Sequence, residues 1–93
     1  IILKKFIMKV SIELTLTPLS DDFESSIKTF IEKIRTLGFK VIENPLSTQI
    51  YGEYGPLMSS LQNIIKETFE EEAFVMLNMK IVKGDRSKYV PSF

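Results

Sequence analysis

From Lys9 to Thr17 apolar and polar residues alternate without a break, and Pro18 ends the run. A period of two puts Val10, Ile12, Leu14 and Leu16 on one face of a strand and Lys9, Ser11, Glu13, Thr15 and Thr17 on the other. The stretch therefore reads as a strand over 8–17 with one buried face. Proline has no N–H to give to a ladder, so the pairing stops there.

The period then changes. Phe23, Ile27, Phe30, Ile31, Ile34 and Leu37 recur at helical spacing and form one apolar stripe over 22–37. Asp21 and Glu24 stand in the D-x-x-E spacing of a capping box, and Gly38 falls where a left-handed C-terminal cap is expected. Phe39–Glu43 reads as a short strand, broken by Asn44-Pro45 before a second strand over Leu46–Tyr51, which Gly52 is expected to end. Gly55 and Pro56 open a second helix, with Leu57, Leu61, Ile64, Ile65 and Thr68 or Phe69 as its buried stripe. Glu70-Glu71-Glu72 is unfavourable at a helix C-terminus, where the macrodipole attracts cations, and predicts fraying there. Ala73–Val82 is the last strand, with Val75, Leu77, Met79 and Ile81 as a wholly apolar face. The order β-α-β-β-α-β predicts an α+β, ferredoxin-like domain over 8–83: a four-stranded antiparallel sheet with two helices on one face. Residues 84–93 are left as a tail.

Composition removes whole classes of chemistry. With no cysteine and no histidine among 93 residues, thiolate and imidazole metal sites, disulfides and Ser-His or Cys-His catalytic pairs are excluded. Twelve basic residues balance twelve acidic ones, so there is no broad electrostatic footprint for nucleic acid. Residues 1–7, interrupted by Lys4 and Lys5, are too short for a membrane span and lack the pattern of a signal peptide. They read as an extra N-terminal segment ahead of Met8 as initiator. The expectation is a cytoplasmic domain without metal or cofactor, and without membrane or nucleic-acid partners.

The sheet face that the helices leave bare carries Ser11, Glu13, Thr15, Thr17, Ser47, Gln49, Tyr51, Phe74, Met76, Asn78 and Lys80. Phe74, Met76 and Tyr51 are too apolar for a purely solvated surface, so this face is expected to join copies into a homodimer or homotetramer. Glu13, in mid-strand, needs a partner, which Lys80 or a ligand bearing a cation or amide would supply. The block Ser47-Thr48-Gln49-Ile50-Tyr51-Gly52-Glu53 concentrates hydrogen-bonding groups beyond what a core strand needs. Each also has a structural use. Ser47 and Thr48 can satisfy backbone groups, Gln49 a neighbouring strand, Tyr51 an interface, and Glu53 the start of the second helix.

Four stretches carry a resemblance: Leu16-Thr17-Pro18-Leu19, Ile27-Lys28-Thr29-Phe30-Ile31, Leu46 through Tyr54, and the apolar last strand. Together they resemble the thiamine-binding (YkoF-related) family of small ferredoxin-like proteins, the Ser47–Glu53 block being the specific part. That family often has a tyrosine before the proline of its first strand, where this chain has Thr17. The resemblance implies non-enzymatic binding of thiamine or its hydroxymethylpyrimidine moiety. Ser47, Thr48, Gln49, Tyr51, Glu13, Glu53 and Asn78 are the candidate ligand contacts. Hydroxyl and amide groups suit an aminopyrimidine, carboxylates suit its amine or the thiazolium charge, and Tyr51 or Phe74 can stack on a flat ring. Because Ser47 and Thr48 point to opposite faces, only one of them is expected to touch a given ligand.

Rival uses of this topology fare worse. An RNA binder would need a glycine-aromatic motif and a basic surface. Pro18–Asp22 is acidic where an acylphosphatase-like enzyme would cradle phosphate. A soluble metal carrier on this fold would need a Cys-x-x-Cys pair. The alternative that remains is a structural or regulatory homo-oligomer that senses a different small molecule. The basic tail Lys83–Tyr89 reads as a solvated or loosely docked end, with Tyr89, Val90 and Phe93 available to a neighbouring subunit.

Overall fold

The computed structural model describes residues 7–93, and the expectation for the segment before Met8 falls almost wholly outside them. Its elements are β1 (Lys9–Pro18), α1 (Phe23–Arg35), β2 (Lys40–Glu43), β3 (Thr48–Glu53), α2 (Tyr54–Glu71) and β4 (Val75–Lys83). All strand pairs are antiparallel, in the order β2-β3-β1-β4. This is the ferredoxin-like arrangement. The alternation of β1 does what its period requires: Val10, Ile12, Leu14 and Leu16 are buried with Ile50 of β3, Phe30 and Ile34 of α1, and Leu57, Leu61 and Ile64 of α2. One core therefore lies between the helices and one face of the sheet. Lys33 and Arg35 in the last turn of α1 suit its macrodipole. Gly38 then adopts φ +83°, the left-handed conformation that only glycine takes cheaply.

Several expected details differ. Asp22, one residue later than the capping box requires, is the N-cap of α1, and no side chain caps the helix. That shift makes Glu24 the second helical residue, out of reach of a reciprocal bond. Gly52 does not end β3. It pairs with Val10 inside the ladder, and a Cβ there would sit 2.6 Å from Cδ1 of Phe39, so the glycine exists to let that ring lie on the backbone. β3 also starts later, at Thr48, because the Asn44 side chain accepts from the N–H groups of Leu46 (3.0 Å) and Ser47 (2.9 Å) and holds them in a turn. The acidic end of α2 is not frayed. It runs to Glu71, and Lys33 of α1 supplies the missing cation, 3.0 Å from Glu71 and 3.3 Å from Glu67. Those carboxylates raise the Lys33 pKa above the usual lysine value, the Glu71 hydrogen bond most of all.

The last strand departs furthest from its expected burial. Met79 and Ile81 are 40% and 42% exposed. The cause is topological: β4 is an edge, and the helices lie over β1 and β3. No helix among the described residues is long and apolar enough to cross a membrane.

Candidate functional site

The register sorts the candidate residues. Glu13 lies opposite Gln49 on one side and Lys80 on the other, Ser11 opposite Tyr51, and Thr15 opposite Asn78. Side chains alternate across a sheet, so Glu13, Gln49, Tyr51, Asn78 and Glu53 all belong to the helix-free face, and Ser47 reaches it too. Thr48, opposite Leu14, faces the helices.

On the open face the polar groups satisfy one another. Ser47 Oγ donates to Glu13 Oε2 at 3.0 Å, and Lys80 Nζ stands 3.8 Å from Glu13 Oε1. The Tyr51 hydroxyl donates to Gln49 Oε1 at 2.7 Å. Burial pushes the Tyr51 pKa above the ordinary tyrosine value, and the nearby charges of Asp85 and Glu13 add to the shift. Ser11, Glu13, Gln49, Tyr51, Lys80 and Arg86 line an open depression of about 180 Å³. Asn78 lies beside it in a second hollow shared with Glu13, Thr15 and Lys80. Glu53 belongs to neither; it sits opposite Lys9 at the far end of β3, as the residue that begins α2.

Behind the sheet the situation reverses. α1 stands away from the strands near its N-terminal half, leaving a cavity of about 220 Å³. Its walls are Leu14, Leu16, Ile27, Phe30 and Ile31, and the Asn44–Ser47 turn closes it as a lip. Leu46 at that lip is 87% exposed, an unusual position for a leucine with an apolar cavity beside it. Thr48 lines the cavity at 7% exposure, and its hydroxyl makes no hydrogen bond among the described residues. No titratable side chain lines this cavity. The structure thus turns Thr48 to the helix side, gathers Glu13, Gln49 and Tyr51 on the open face, sets Ser47 at the cavity lip with its hydroxyl on Glu13, and leaves Glu53 apart.

No family model and no curated protein matches the chain. Solved structures do. A Streptococcus pneumoniae protein is 29% identical, with a TM-score of 0.78, covering 87% of this chain and 92% of its own. A Thermotoga maritima protein, named provisionally for thiamine biosynthesis or salvage, is 24% identical with a TM-score of 0.72, covering 78% of this chain and 81% of its own. A domain of unknown function from Bacillus cereus is 19% identical with a TM-score of 0.69, covering 92% and 80%. The chain shares its fold with them.

Sequence reasoning missed three features. Phe30, Ile27 and Ile31 were assigned to an ordinary buried stripe, yet the two isoleucines are only half-buried, as cavity walls. Asn44 reads in the sequence as a breaker and is the residue that builds the lip. The tail reads in the sequence as solvated or loosely docked, yet Ser11 Oγ donates to the Gly84 carbonyl and accepts from the Arg86 N–H, both at 2.8 Å. An available signal was Leu46 beside Pro45, an apolar residue in a turn with no core position to fill.

Proposed function

We propose that the chain binds thiamine or its hydroxymethylpyrimidine moiety without transforming it, and that the pyrimidine enters the cavity between α1 and the sheet. The observation that carries this reading is the cavity itself, whose mostly apolar walls hold the Thr48 hydroxyl, which makes no hydrogen bond among the described residues and is not sealed from solvent. A hydroxyl that no protein group engages is left to water, which a ligand can displace while reproducing its bonds. A hydroxyl can donate to a pyrimidine ring nitrogen or accept from the exocyclic amine. Apolar walls with a few placed polar groups are the usual composition of a ligand pocket. The volume is suitable: about 150 Å³ accepts a benzene ring, and this cavity has about 220 Å³. Ser47, at the rim, donates to Glu13. A thiazolium leaving the cavity past Ser47 would therefore approach a carboxylate. The thiamine-related name of the Thermotoga maritima neighbour agrees with this reading.

The reading includes assembly of copies through the open sheet face. Phe74 and Met76, 70% and 50% exposed, give that face an apolar end. Sedimentation is expected to give a dimer or tetramer, and a stable monomer would refute the assembly. Isothermal titration with thiamine, hydroxymethylpyrimidine and thiamine pyrophosphate tests the ligand. Heat is expected from at least one. No heat and no thermal shift with any of them at millimolar concentration would overturn the binding reading.

A further inference from the structure

Ser11 is the one buried serine among the described residues, 8% exposed although it lies on the helix-free face. What covers it is the chain after β4. Gly84, at φ +101°, turns the tail back, and its N–H donates to the Lys9 carbonyl at 2.8 Å. The two bonds of Ser11 Oγ then clamp Gly84 and Arg86 onto the sheet, across 73 and 75 residues of sequence. The clamp anchors the backbone of Arg86 at the wall of the open depression.

The groups around that depression are mostly donors. Arg86 has no ion pair among the described residues. Lys80 faces it, with only a 3.8 Å approach to Glu13. Gln49 uses its carbonyl oxygen for the Tyr51 hydroxyl, which leaves its amide N–H groups to donate. Two cations stand against one carboxylate, Glu13, and Glu13 already accepts from Ser47. Asp85 is the acidic neighbour on the tail. Its carboxylate takes the Ser87 N–H at 2.9 Å and lies in the field of Lys9 and Lys40. A guanidinium offers parallel N–H bonds that match the two oxygens of a carboxylate or phosphate.

We propose that this depression is a second binding site, distinct from the cavity at Thr48, for the oxyanion of a small carboxylate or phosphate compound, with Arg86 as its principal contact. Lys80 and the Gln49 amide complete the donor set, and Ser11 is the positioning residue that fixes Arg86. The site is also clear of the apolar end of the same face. Ser11 stands six positions along β1 from Thr17, the partner of Met76, which is about 20 Å at the rise of a strand.

The test is a titration of the isotopically labelled full chain with inorganic phosphate and, separately, with succinate, at constant ionic strength maintained with sodium chloride. The amide signals of Ser11, Gln49, Tyr51 and Arg86 are followed. Saturable shifts with at least one oxyanion are expected, and the two arms tell phosphate from carboxylate. Arg86→Gln, at an exposed side chain, should weaken that binding about tenfold or more, the worth of charge-assisted bonds. Ser11→Ala should weaken it with the guanidinium still present, while Thr48→Val should leave it unchanged. Shifts that follow ionic strength alone, or an Arg86→Gln variant that titrates like the parent, would overturn the proposal. Thiamine titration reads the other face, so either reading can fail without the other.

Discussion

The two faces of β3 differ in how their polar groups are satisfied. On the open face Ser47, Glu13 and Lys80 form one connected set and Tyr51 and Gln49 another, so their carboxylate and amide oxygens are engaged while Lys80 and the Gln49 amide keep donors to spare. On the covered face the Thr48 hydroxyl stands among mostly apolar walls with no hydrogen bond among the described residues. Polar residues in one short strand thus carry different meanings according to the side they face. Density of hydrogen-bonding groups marked the strand; partnering separates the group left free from those that hold the surface together.

The contrast can be broken at several points. The largest effect is expected on the covered face, which holds the core. Ile50, fully buried between Thr48's neighbours and both helices, should cost about 2–5 kcal/mol when truncated to alanine. Denaturant unfolding measures this, and a loss under about 1 kcal/mol would mean that the core is not packed as described. Next is Gly52→Ala, whose Cβ meets the Phe39 ring at 2.6 Å. Overpacking of this kind costs about 1–3 kcal/mol, and Phe39→Leu in the same background should recover part of it. Thr48→Val sharpens the comparison itself. Removing an unpartnered hydroxyl should leave stability unchanged or raise it by up to about 1 kcal/mol, while hydroxymethylpyrimidine affinity falls about tenfold. A destabilised variant would reveal a structural bond at Thr48.

The smallest effects are electrostatic. Tyr51 keeps its proton above the ordinary tyrosine pKa, first through burial and then through Asp85 and Glu13. A raised folded pKa in a neutral acid means that the native state holds the proton more tightly. Its contribution is complete below the unfolded value of about 10 and is lost as pH rises through the folded value. Ultraviolet titration should place Tyr51 above the ordinary tyrosine value, and Asp85→Asn should lower it. No movement would place Asp85 away from the open face.

Much of the fold was legible because its signals are local. The alternation of 9–17, the stripe from Phe23 to Leu37 and the glycine at 38 each impose one conformation on their own residues. What was illegible depends on distance between elements. Periodicity says that Ile27 and Ile31 face the sheet, but not that α1 stands off far enough to leave a cavity. It says that Met79 and Ile81 share a face with Val75, but not that the helices stop short of the edge strand. The Ser11–Arg86 clamp joins residues 75 positions apart, with no pattern near either one to announce it. In the candidate site, the strand could be found from its composition. The division of Thr48 from Ser47, Gln49 and Tyr51 could be foreseen from alternation, but the partnering of each group required coordinates.

The account turns on which face takes the pyrimidine, and amide shift mapping with hydroxymethylpyrimidine answers that directly. Shifts are predicted to cluster at Leu14–Leu16, Ile27–Ile31 and Asn44–Thr48, the walls and lip of the cavity. Shifts confined to Ser11, Glu13, Gln49 and Tyr51, with Thr48 and Phe30 unmoved, would contradict it.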